Sequence, residues 1–110
     1  MNPLDTQIGG ESGVKYDSGK ILAGLVLKDF AKALESVCEV GTFGANKYTA
    51  HGWLTVPDAS QRYEDAMLRH YLAHSKGELM DQESGCSHLA HLAWNALAIL
   101  EKSKSITQEK

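Results

Sequence analysis

Cysteine, excess basic charge and long apolar runs are all scarce in this chain, and each scarcity closes off a class of protein. Two cysteines, Cys38 and Cys86, cannot make a disulfide framework, and the first residues carry neither a basic n-region nor an apolar h-region. A reducing cytoplasm is the expected compartment. The 11 Lys and Arg against 14 Asp and Glu leave a formal net charge of −3, which gives no electrostatic footprint for duplex nucleic acid or an anionic membrane. No apolar run approaches the roughly 20 residues that span a bilayer. Internal repeats are absent too. At 110 residues, 43% of them hydrophobic, the chain has enough apolar matter for one core and too little for two. An elaborate site would therefore draw on a second subunit.

What is present reads as helix. Leu27, Phe30, Ala31, Leu34, Val37 and Cys38 recur at helical spacing and predict a first helix over about 25–40, with Gly41 as its stop. The preceding KYDSGKILAGLVL is either extended chain or a short additional helix, because Gly19 and Gly24 weaken any helix through it. Gly41, Gly44, Gly52 and Pro57 among Phe43, Tyr48 and Trp53 predict an ordered loop over 41–57. Asp58 with Gln61 three residues on resembles a capping box and opens a second helix over about 59–75. Ser84 or Ser87 caps a third, over about 86–102. The fold class is therefore all-α: a small bundle of three to four main helices, oligomeric, with a loose N-terminal arm at 1–14, one domain at 15–102 and a polar tail at 103–110.

HLAHLAWNALAIL, residues 88–100, would pass for a wholly buried helix but for His88, His91 and Asn95. Their i, i+3, i+7 spacing puts them on one narrow stripe. The second helix repeats the pattern, with His70 and His74 on the face of Tyr63, Ala66, Met67 and Tyr71, and Glu64 at its edge. Taken singly, these are satisfied interface histidines and a rim charge. Together they point to a site, since a buried polar group left unpaired costs on the order of 1–3 kcal/mol. Two kinds of metal chemistry are open. His88 and His91 can converge on one ion with Asp81 and Glu83 upstream as oxygen ligands. A wider carboxylate set (Glu35, Glu39, Glu64, Asp65, Glu78, Asp81, Glu83) suits Mg²⁺ or Mn²⁺ instead. Lys28, Lys32, Glu35 and Glu39 also read as an ordinary solvated ladder. Candidate phosphate contacts are Lys15, Lys20, Lys47, Arg69 and His70, of which Arg69 is the best suited because a guanidinium grips phosphate bidentately. KYDSGK lacks the glycine spacing of a Walker A loop.

The ordered series KYDSGK, GTFGANKY, HGW, YEDAMLRH, GELMDQESG, HLAH and WN, spanning about residues 13–101, resembles the phage and bacterial dATP/dGTP diphosphohydrolase N-terminal family, the MazZ-like proteins, which are related to the all-α NTP pyrophosphatases. The resemblance implies a helical, oligomeric, metal-dependent hydrolase, in the host cytoplasm if phage-encoded, that converts a purine (deoxy)nucleoside triphosphate to monophosphate and pyrophosphate. It also implies Mg²⁺ or Mn²⁺ on acidic motifs, whose counterparts here are Glu64 and Asp65 in YEDAMLRH and either ELMD (78–81) or HLAH (88–91). On that footing Glu64, Asp65, Asp81 and Glu83 are the expected metal set, and Glu64, Asp65, His88 and His91 the expected catalytic groups. Lys15, Lys20, Lys47, Arg69, His70 and Asn95 would hold the nucleotide, with Tyr16 or Trp53 stacking on its base.

Two other classes of function compete. A helical oligomer could bind a nucleotide or cyclic nucleotide without cleaving it and so sequester it, using the same basic and aromatic residues. A structural oligomerisation module is the plainer reading, disfavoured by the polar residues on otherwise apolar faces.

Overall fold

Four α-helices and one 3₁₀ turn make up residues 18–108, the part of the chain that the computed structural model describes: α1 Ala23–Asp29, α2 Ala31–Lys47, the turn Gly52–Thr55, α3 Ala59–Ser75 and α4 His88–Gln108. The described residues contain no strand, only an isolated antiparallel bridge between Met80 and Ser87. The all-α expectation holds. The arm at 1–14, Lys15 and Tyr16 lie outside the described residues.

Three boundaries differ from the sequence-based expectation. The single helix expected over 25–40 is two helices, separated at Phe30, whose amide bonds back to the Leu27 carbonyl at 3.1 Å. The second of them runs straight through Gly41 and Gly44 to Lys47, so the loop expected from 41 begins only after 47. A glycine inside a helix costs only about 1 kcal/mol, and Gly41 has a use: a Cβ there would stand 3.3 Å from the Trp94 indole nitrogen. It admits the tryptophan rather than stopping the helix. At the far end α4 continues to Gln108 instead of fraying after 102. Nothing in that stretch breaks a helix, and the Ser103 hydroxyl donates to the Leu100 carbonyl of its own helix at 2.8 Å.

The caps also divide differently. Asp58 occupies the N-cap position of α3 in the left-handed region, φ 54°, and its carboxylate caps nothing, so the Asp58–Gln61 box does not form. Ser87 does cap α4, its hydroxyl accepting the Ala90 amide at 3.0 Å.

The chain divides into two compact units between Ala31 and Lys32. In the second, α3 and α4 make the main helix pair, while Val40 of α2 joins Cys86, Ala90 and Trp94 in a small apolar core. An aromatic trio lies on the same pair: the Trp94 ring is 5.5 Å from Trp53 and 5.6 Å from Tyr63, edge to face. Neither cysteine is in a disulfide.

Candidate functional site

The loop between α3 and α4 does the positioning. Gly77 ends α3 at φ +100°, and the chain then folds back on itself: the Asp81 amide bonds to the Cys86 carbonyl at 2.8 Å and the His88 amide to the Leu79 carbonyl at 2.9 Å. At its tip, Asp81 and Ser84 form a local turn of the kind short polar side chains stabilise. The Asp81 carboxylate accepts both the amide and the hydroxyl of Ser84 at 2.9 Å, and Gly85 follows at φ +74°. The loop therefore carries one fixed carboxylate to the start of α4.

There it meets three imidazoles. His88, 4% exposed, sets its Nδ1 at 2.8 Å from Nδ1 of His70 on α3 and its Nε2 at 3.1 Å from the Glu78 carboxylate. His91 stacks on His70, ring centres 4.3 Å apart and planes within 8°, and its Nε2 lies 2.7 Å from the Ser84 hydroxyl. Because that hydroxyl gives its one proton to Asp81 and accepts the Cys86 amide at 3.1 Å, the remaining bond requires Nε2–H on His91. Asn95, also buried, donates its amide to the His91 carbonyl at 2.8 Å. No buried side-chain polar atom among the described residues lacks a partner.

The electrostatics follow from this packing. Burial, with His91 and His88 close by, lowers the His70 pKa to about 4. Burial lowers His91 as well, against the pull of Asp81. For Asp81 burial pushes upward, but the Ser84 amide and hydroxyl and the two histidines outweigh it and hold the carboxyl below its ordinary value. At neutral pH the cluster is thus a carboxylate beside uncharged His70 and His91.

An open groove of about 610 Å³ runs past the tip of this loop, lined by Glu35, Cys38, Glu39, Thr42, Phe43 and Asn46 of α2 and by Ser84, Gly85 and Cys86. Ser84 belongs to both features. It faces the groove and bonds Asp81, and it meets His91 behind.

The residues expected from the sequence fall into three groups. His70, Asp81 and His88 are brought together, each offering one ligand atom within 4.8 Å of the others, and they are the one such trio among the described residues. His91 and Asn95 adjoin them. Glu64, Asp65 and Arg69 are exposed on α3, and Glu83 is ion-paired with Lys47, so the four carboxylates expected around Mg²⁺ or Mn²⁺ do not converge. Trp53 stands in the aromatic trio, and Lys20 lies in the first unit. The groove wall offers a different pair of oxygen donors, Glu35 and Glu39, one helical turn apart, whose chemistry does suit a hard ion. Ser84, read from the sequence only as a possible cap, is the residue missed. The signal was there in Asp-x-x-Ser-Gly, which marks a side-chain-closed turn.

A family described as "dATP/dGTP diphosphohydrolase, N-terminal" matches residues 10–110. A protein named dATP/dGTP diphosphohydrolase from Salmonella phage PMBT28 is 34% identical over 82 residues, covering 74% of this chain and 27% of its own length. The chain thus spans little more than a quarter of that relative. No solved structure matches. With nearly its whole length matched, the chain belongs to the dATP/dGTP diphosphohydrolase N-terminal family.

Proposed function

We propose that the chain hydrolyses purine (deoxy)nucleoside triphosphates to monophosphate and pyrophosphate, with the triphosphate lying in the groove between α2 and the 78–87 loop. The observation that carries this reading is the family match across residues 10–110; the groove beside a polar cluster supports it. A bare triphosphate would be repelled by Glu35 and Glu39. Glu35 and Glu39 would instead hold Mg²⁺ or Mn²⁺ carried on the triphosphate oxygens, and the ion would supply charge neutralisation at the reacting phosphorus.

The chain's own groups do the rest. The groove-facing Ser84 hydroxyl donates to Asp81 and accepts from the Nε2–H of His91, and a proton from the attacking water can leave through this hydroxyl to the Asp81 carboxylate. Lys47, one residue past the groove-lining Asn46, is proposed to exchange Glu83 for the leaving pyrophosphate. Arg69 is proposed as a further contact on the α3 side, and Asn95 as support for His91.

A panel of purine and pyrimidine dNTPs and NTPs, incubated with Mg²⁺ or Mn²⁺ and with chelator, tests this by chromatography. Monophosphate and pyrophosphate should appear together from purine substrates and stop with chelator. Tight binding with the nucleotide recovered intact would replace hydrolysis by sequestration.

A further inference from the structure

We propose that His70, Asp81 and His88 form a binding site for one divalent transition-metal ion of the zinc class, separate in place and in chemistry from the oxygen-lined groove. Two imidazoles and one carboxylate are the donors that such ions prefer, and Mg²⁺, which favours an all-oxygen shell, is a poor match for them. Three protein ligands leave one position open for water or a ligand, as in zinc sites that do chemistry.

Distances allow it. Ligands about 2.1 Å from a common ion stand roughly 3.4 Å apart in a tetrahedron and at most about 4.2 Å. The three donors already lie within 4.8 Å of one another, and the two Nδ1 atoms are 2.8 Å apart. Closing the first and opening the second takes side-chain shifts of about 1 Å or less on each residue by the same bond lengths.

A second observation concerns what holds the donors. The Glu78 carboxylate takes the Nε2 side of His88, which leaves Nδ1 with its lone pair toward His70. Ser84 holds one oxygen of Asp81 twice over. Carboxylate behind imidazole and hydrogen bonds behind carboxylate are the arrangement by which proteins orient metal ligands. Glu78 is then a positioning residue, acting on the ion through His88.

The inference does not depend on the nucleotide reading. Metal uptake without hydrolysis would leave it intact, and hydrolysis without uptake would overturn it alone. Untagged full-length protein, stripped with chelator, is titrated with Co²⁺ and followed by visible absorption. One equivalent should give the intense d–d bands of a four- or five-coordinate ion, Zn²⁺ should abolish them, and millimolar Mg²⁺ should not. Asp81→Ala should remove the bands. Because that change also disturbs the loop, Glu78→Gln, at an exposed carboxylate, serves as the variant expected to fold, with Co²⁺ affinity weakened roughly 10–100-fold; Glu64→Gln should bind as the parent does. The proposal is overturned if the parent leaves Co²⁺ with its weak aqueous spectrum, if Mg²⁺ displaces Co²⁺ as readily as Zn²⁺ does, or if Glu78→Gln binds unchanged.

Discussion

Tyr63 shows how one half-buried side chain on α3 links neighbouring elements and reports on their integrity. Its hydroxyl donates to the Trp53 carbonyl at 2.6 Å, and burial raises its pKa above the ordinary value of 10.0, Arg62 opposing. An acid whose folded pKa is raised stabilises the fold fully below its unfolded pKa, and that contribution is lost as pH rises through the folded one. From neutral pH upward, melting temperature should therefore hold steady to about pH 10 and fall beyond it, while tyrosinate absorbance shows one of the four tyrosines ionising late. Tyr63→Phe should cost about 1 kcal/mol at neutral pH for the lost hydrogen bond and flatten the alkaline decline. If the Phe variant loses stability with the same alkaline profile, Tyr63 is not its source.

At the scale of elements, α2 offers a controlled comparison between two glycines in one helix. Gly41 lies against the Trp94 indole, whereas nothing stands within 4 Å of a Cβ at Gly44. Alanine at 44 should stabilise by about 0.5–1 kcal/mol, through helix propensity and a less free unfolded chain. At 41 the same gain is offset by displacing Trp94 from a core of Val40, Cys86 and Ala90, so Gly41→Ala should be neutral or destabilising. Chemical denaturation of the two variants decides this, and an equal gain at both positions would mean that Trp94 does not press on Gly41. The contrast also shows why Gly41 was misread as a stop. A glycine needed for its missing Cβ and one needed for positive φ look alike until the neighbour is known.

For the whole molecule, the apolar side chains left outside matter more than those inside. Among the described residues the buried apolar ones are all small or medium (Val40, Ala59, Cys86, Ala90 and Ala98), while Leu68, Tyr71, Leu72, Leu89, Leu97 and Leu100 on α3 and α4 are 47–58% exposed. Half-exposed leucines on the two best-packed helices are a poor end state for a free chain, since covering each gains about 1 kcal/mol. A second copy of the chain is the expected cover, as the length alone already argued. Light scattering should give a multiple of 12.0 kDa that resists dilution, and Leu68→Glu with Leu97→Glu should shift it toward one chain. A monomer at every concentration would end this expectation.

Periodicity and capping chemistry, both local properties, determined what could be read directly from the sequence. The all-α class, the span 59–75, the Ser87 cap and the stripe of His88, His91 and Asn95 all follow from helical spacing or from a hydroxyl two or three residues before an amide. Partners across the chain were not legible, because they depend on how a loop closes. The tertiary structure alone decided that His70 of α3 meets His88 of α4, that Glu78 stands behind His88, and that Ser84 binds Asp81 and His91 instead of capping a helix. The sequence offered seven candidate carboxylates, with Glu64, Asp65, Asp81 and Glu83 the expected metal set among them. The Met80–Ser87 bridge turns Asp81 inward to the imidazoles, while Glu64 and Asp65 keep to solvent on an exposed face of α3: a fold-back of about ten residues sets which charge is desolvated, and no helical period encodes it.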